Sequence, residues 1–165
     1  MKTLILVRHG KASHSALMSE DFDRKLTDQG RHDASLMAQV VHKYNVNPDI
    51  FISSPAARAL ETAELFAEVF EIPPEKINQN YKIYENDPST MMKIIESIDN
   101  ANNIAVIFGH NPTITAIAMH LIETRIEHLP TCGIAGIDFD TEDWKKIKIK
   151  KGVLRFFEFP KKYFR

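Results

Sequence analysis

Cysteine is almost absent from this 165-residue chain: Cys132 is the only one, so no internal disulfide can form and a reducing, cytoplasmic compartment is expected. Cys132 lies in Pro130-Thr131-Cys132-Gly133, ahead of an apolar run, and reads as a small buried residue rather than a nucleophile. Long hydrophobic runs are missing as well. No segment approaches the roughly 18 apolar residues of a membrane span. The stretch from Leu4 to Val7 is too short for the core of a signal peptide and lacks a small-residue cleavage site, so neither export nor a membrane partner is expected. With no internal repeat, low-complexity segment or long linker, residues 1–165 read as one domain, expected to be monomeric.

Charge of one sign is not in excess, since 21 Lys and Arg face 22 Asp and Glu. The balance is uneven along the chain, however: nine of the basic residues fall between 145 and 165, beside a single acid, Glu158. Within that stretch Lys146-Ile147-Lys148-Ile149-Lys150 alternates with period two. This is the pattern of a solvent-facing edge strand guarded by lysines, so no nucleic-acid partner is inferred. No pair among the seven histidines has the close spacing of a zinc motif, and neither a metal nor another cofactor is expected.

What is present is an alternation of strand-like and helix-like stretches, which points to an α/β fold. Thr3 to Arg8 reads as a buried first strand, followed by a polar loop from Lys11 to Lys25. Thr27 reads as the N-cap of a helix to about Tyr44. Asp49 to Ser53 reads as a second strand that breaks into Ser54-Pro55, a cap and first-turn proline opening a helix through Phe70. Lys82 to Tyr84 is a candidate short strand, and Asp87-Pro88 caps a further helix. Asn103 to Phe108 forms a third strong strand, with a helix from about Thr113 to Ile122 behind it. The runs Gly133 to Phe139 and Leu154 to Phe159 are too closely connected for a crossover and should pair antiparallel at the sheet edge.

Three strand ends then carry polar residues into strand-to-helix turns: Arg8-His9-Gly10, Arg58, and Gly109-His110-Asn111. Ligands of open α/β sheets bind at such carboxyl ends. Two arginines, two histidines and several helix N-termini, with no compensating carboxylate among them, make an anion site, and phosphate is the anion they suit. Neighbouring positive charge should keep His9 neutral and able to attack phosphorus. Arg8, Arg58 and a protonated His110 would meet the equatorial oxygens of the transition state. Gly10, Asn111 and Arg24 are candidates for substrate contact, although Arg24 could equally be held by Asp21 or Asp23. His14, His32, His42, His120 and His128 are assigned no role in the site.

Four blocks resemble the SixA-type phosphohistidine phosphatases of the histidine phosphatase superfamily. They are Leu4-Ile5-Leu6-Val7-Arg8-His9-Gly10-Lys11-Ala12, Asp23-Arg24-Lys25-Leu26-Thr27-Asp28-Gln29-Gly30-Arg31, Ser53-Ser54-Pro55-Ala56-Ala57-Arg58-Ala59-Leu60-Glu61-Thr62-Ala63, and Gly109-His110-Asn111-Pro112. The resemblance implies a phosphoglycerate mutase-like three-layer sandwich: a mostly parallel central sheet, helices on both faces and an antiparallel edge. It also implies that His9 is phosphorylated during turnover, that Arg8, Arg58 and His110 complete the phosphate pocket, and that water releases phosphate. Many superfamily members carry a general acid where this chain has Glu85 or Asp87. Glu85 is the candidate, against the alternative that it is a solvated loop acid and Asp87 a helix cap. SixA-type members typically lack a clear acid there, which a phosphoramidate tolerates better than an ester. The substrate expected is a phosphorylated protein bearing phosphohistidine. The alternatives are a small phosphomonoester and a non-catalytic phosphate-binding module.

Overall fold

Uninterrupted Val, Ile and Leu runs suit strands buried on both faces. The computed structural model, which describes residues 1–14, 18–85, 87–147 and 151–164, builds its sheet from such runs. Strands β1 (Lys2–Arg8), β2 (Ile50–Ser53), β3 (Asn78–Gln79) and β4 (Ile104–Gly109) are parallel. Strands β5 (Ile134–Phe139) and β6 (Val153–Glu158) continue the sheet antiparallel, in the order β3-β2-β4-β1-β5-β6.

Period-two alternation along β1 assigns its side chains to two cores. Leu4 and Leu6 join Ile107, Met91 and Ile95 of α3 (Pro88–Glu96), and Ile114 and Ile117 of α4 (Thr113–Leu121). Ile5 and Val7 face Met37 and Val41 of α1 (Asp28–His42) and Ala63 and Phe66 of α2 (Ala57–Val69). The result is the expected three-layer α/β sandwich. All four of these β1 side chains are fully buried, and each contributes about 2 kcal/mol of burial, so the strand that carries His9 is anchored from both sides. Among the described residues no helix is long and apolar enough to cross a membrane.

Local chemistry sets the helix starts. Thr27 Oγ1 accepts the Gly30 N–H at 3.0 Å, and an Asp87 carboxylate oxygen accepts that of Thr90 at 2.8 Å. Three expectations need correction. Helix α2 begins at Ala57, two residues after Pro55, because Ser54 Oγ accepts the Ala56 N–H (3.1 Å) and holds the turn outside the helix. Lys82 to Tyr84 is no strand: Asn80 accepts the Lys82 N–H, Tyr81–Ile83 forms a 3-10 turn that buries Ile83, and the short strand lies earlier, at β3. Of the lysine-alternating stretch, Lys146 closes a 3-10 turn, Trp144–Lys146, and Ile147 follows it buried, so neither is in a strand, while residues 148–150 lie outside the described residues.

Register places the site. Arg8 pairs with Gly109 and Ser53 with Phe108, so His9, His110 and Ser54 leave three neighbouring parallel strands at one level.

Candidate active site

His9 follows β1 and is held by its own turn. Its Nδ1 lies 2.7 Å from the Gly10 carbonyl oxygen, which can only accept, so Nδ1 carries the proton and Nε2 the lone pair. Arg58 Nε, 3.4 Å away, donates towards Nε2. Burial, ahead of the opposing Gly10 bond and the charges of Arg58, Arg8 and Arg24, brings the His9 pKa down to about 4. The ring is therefore neutral at pH 7, as expected from the sequence, but desolvation outweighs the arginines as the reason.

Gly10 has no room for a side chain without adjustment: a Cβ would stand 3.0 Å from Gly30 O and 3.1 Å from Cys132 Sγ. Its N–H donates to the buried Thr62 Oγ1 (3.0 Å), whose hydroxyl donates to Arg58 O (2.8 Å). Gly10 and the start of α2 are thereby pinned together. Arg58, the second residue of α2, is only 8% exposed.

His110, after β4, has its ring centroid 5.2 Å from that of His9. Burial, then the neighbouring His9 and Arg58, lower its pKa to about 3. The expected protonated His110 is thus absent from the free site, because among the described residues no carboxylate is bonded to its ring to offset desolvation. Its Nε2 is 2.8 Å from Ser54 Oγ, and Nδ1 is buried with no partner among the described residues. Arg8 donates from Nη1 to Leu129 O (3.1 Å), while its Nε is likewise buried and unpartnered among the described residues.

The site also holds a carboxylate, contrary to expectation. Asp21, in the 3-10 turn Met18–Asp23, accepts from Arg58 Nη2 (3.3 Å), Arg24 Nη1 (3.0 Å) and Tyr84 Oη (2.6 Å), and its backbone oxygen accepts from Arg58 Nη1 at 2.8 Å. The Tyr84 bond first, then Arg24 and Arg58, hold its pKa down at about 2 despite some burial. In return the carboxylate raises the Tyr84 phenol to about 12. The sequence named Asp21 only as a possible holder of Arg24, which is the pairing found, and did not place it beside Arg58; Tyr84 was given no role in the site.

A candidate phosphohistidine phosphatase, SixA, from Agrobacterium tumefaciens superposes with a TM-score of 0.82 at 27% identity, covering 96% of this chain and 98% of that one. Residues 4–79 match the histidine phosphatase superfamily, branch 1. Over residues 4–79, then, the chain carries the sequence pattern of the histidine phosphatase superfamily. An uncharacterised Mycobacterium leprae protein is 27% identical over 94% of this chain and 100% of the relative. The protein histidine phosphatase SixA complexed with tungstate shares the fold, with a TM-score of 0.82 at 20% identity over 97% of this chain and 98% of that one. The matched residues 4–79 include Arg8, His9 and Arg58. His110 lies beyond them, within the full-length structural likeness.

The other candidates are placed differently. Arg24 reaches the cluster, bonding Asp21 and, through Nε, Ser13 O at 2.7 Å. Asn111 is engaged in a loop lock: its Nδ2 donates to Leu129 O (2.9 Å), its Oδ1 accepts from Thr115 Oγ1 (2.6 Å), and Thr115 Oγ1 accepts from Leu129 N. That lock fixes the carbonyl to which Arg8 donates. Glu85 is exposed and, among the described residues, makes no bond to His9, Arg58 or His110, and Asp87 is spent as the α3 cap, its pKa lowered by the Thr90 N–H. Among the described residues no group of three or more His, Cys, Asp or Glu side chains could hold a metal ion.

Proposed function

We propose that this histidine phosphatase hydrolyses phosphohistidine on a protein through a phosphorylated His9, without a metal or other cofactor. The observation that carries the reading is the fixed neutral tautomer of His9, with Nδ1–H on the Gly10 carbonyl and the Nε2 lone pair beside Arg58 Nε. Nε2 bonds to phosphorus as the bond to the leaving nitrogen breaks, and water then attacks the phospho-His9 and restores the free ring. Arg8 and Arg58 meet the phosphoryl oxygens. The partnerless buried Arg8 Nε and His110 Nδ1 are the groups an anion would relieve.

A nitrogen-linked substrate fits because, among the described residues, the pocket has no carboxylic acid to give: Asp21 is ionised, Asp87 caps a helix and Glu85 makes no bond to the cluster. An alkoxide leaving group needs such an acid, whereas a phosphorylated ring already protonated on its far nitrogen releases neutral imidazole without one. The SixA likeness supports the same substrate class.

The test is turnover of a phosphohistidine protein beside a panel of sugar and nucleotide phosphates, with acid-stable and acid-labile label mapped on the enzyme. Label on His9, loss of turnover in His9→Ala, inhibition by vanadate and indifference to EDTA are expected. Equal rates for wild type and His9→Ala would end the catalytic reading, and turnover of the small esters alone would end the substrate assignment.

A further inference from the structure

Asp21 takes no part in the transfer just proposed, yet it stands beside it. Two donors fill Oδ2, from Tyr84 and Arg58, and one reaches Oδ1 from Arg24. A carboxylate oxygen accepts about two hydrogen bonds, so Oδ1 keeps an open position among the described residues, on a side chain 45% exposed. Tyr84, which donates to Asp21, belongs to a cluster of three rings, with centroids 5.0 Å apart for Phe22–Tyr84, 5.8 Å for Tyr81–Tyr84 and 6.0 Å for Phe22–Tyr81. The Tyr84 ring is in turn 5.7 Å from that of His110. An aromatic wall therefore runs from the exposed Tyr81 to the pocket, with an ionised acceptor beside its inner end.

We infer that Asp21 and this wall form the leaving-group subsite: Asp21 Oδ1 accepts the N–H of the substrate imidazole at the ring nitrogen not bonded to phosphorus, so the site selects a nitrogen-linked donor held as its cation. The inference rests on the phosphohistidine reading above. The groups facing Asp21 are Arg24 from its own turn, Arg58 from α2, and Tyr84 and His110 from the two neighbouring connections. Once a phosphoryl dianion balances Arg8 and Arg58, and Asp21 balances Arg24, the one positive charge left to oppose an imidazolium at that place is the proton that His110 takes up. The step balances without a co-reactant. As His9 Nε2 bonds to phosphorus, the P–N pair returns to the substrate ring and cancels its positive charge, while the far nitrogen keeps its proton. Asp21 keeps that proton on the ring above the ordinary imidazole pKa of about 6.5.

The experiment compares wild type with Asp21→Asn, which keeps the size and one acceptor oxygen, on a phosphohistidine peptide and on acetyl phosphate, whose leaving group departs as a stable anion and carries no ring. At pH 8 the peptide kcat should fall at least about tenfold further than the acetyl phosphate kcat, the size of a lost charge-assisted hydrogen bond. The basic limb of kcat, which reports the enzyme–substrate complex, should move down by about one pH unit for the peptide and stay in place for acetyl phosphate. Phe22→Leu, which leaves the carboxylate intact, should raise the peptide KM at least about threefold relative to the acetyl phosphate KM. Equal losses on both substrates with unmoved limbs would mean that Asp21 only positions Arg58, and would overturn the inference while the phosphatase stands. Wild-type turnover of acetyl phosphate without turnover of the peptide would instead remove the substrate reading, and this inference with it.

Discussion

Acidification tests the burial of the two site histidines. His9 is held at about 4 and His110 at about 3, with burial the leading cause for both, whereas an unfolded histidine titrates near 6.5. Below that value the unfolded chain binds more protons than the folded one. The folded pKa values are depressed, so stability is lost as pH falls from 6.5 towards 4. Integrated from pH 7 to pH 5, the linkage is about 1.8 kcal/mol for each isolated histidine, and roughly 3 kcal/mol for the pair once their coupling and the partial exposure of His110 are allowed for. Asp21, at about 2, does not titrate in this window. Urea unfolding at the two pH values and matched ionic strength reads the loss. The double variant His9→Gln/His110→Gln removes both titrations and should lose less than about 1 kcal/mol over the same interval. A wild type that changes by less than about 1 kcal/mol, or a double variant that loses as much as the wild type, would refute burial as the cause of their neutrality.

Thr62→Val should cost about 2 kcal/mol, because it strands the buried Gly10 N–H. At this chain length that is a Tm drop of roughly 4–8 °C, while Thr62→Ser should recover most of it; a valine variant melting with the wild type would discount this bond. Arg58→Lys keeps the charge but loses the fork shared among His9, Asp21 and the incoming phosphoryl group. Its kcat/KM should fall at least about tenfold in a phosphate-release assay. Glu85→Gln should change kcat on a phosphohistidine peptide by less than about twofold, and a tenfold loss would return Glu85 to the role of general acid. Titration calorimetry of vanadate binding at pH 7, in buffers of different ionisation enthalpy, should show proton uptake as the anion raises the His110 pKa; zero uptake would mean that His110 stays neutral.

Strands and helices specified by their own residues were legible in the sequence. The apolar run of β1, the Thr27 cap and the Asp87-Pro88 start all act within a few residues, and the pattern that announces them is local. So was the gathering of His9, Arg58 and His110 at one sheet edge, because parallel strands followed by helices force their carboxyl ends together. Strand β3 was not legible: Asn78 and Gln79 are both exposed and polar, and they pair with β2 because buried Ile77 and the Asn80 N–H to Ser53 O hold them there. Nor was the place of Asp21. Its bonds to Arg58 and Tyr84 cross 37 and 63 residues of sequence, and only its pairing with Arg24 is local.

The reaction we propose asks opposite things of two histidines whose rings lie 5.2 Å apart. His9 must stay unprotonated on Nε2 to attack, whereas His110 serves best if it can take up a proton when the dianion arrives. Burial drives both towards neutrality, so it cannot distinguish them. Their second partners can. The Gly10 carbonyl only accepts, which confines the His9 proton to Nδ1 whatever occupies the pocket. Ser54 Oγ, already accepting from Ala56 N, bonds His110 Nε2 through a hydroxyl that both donates and accepts, so it can serve the neutral ring and then the charged one by rotating. A carbonyl on one ring and a hydroxyl on the other thus separate nucleophile from electrostatic partner where the surrounding charges alone would treat them alike.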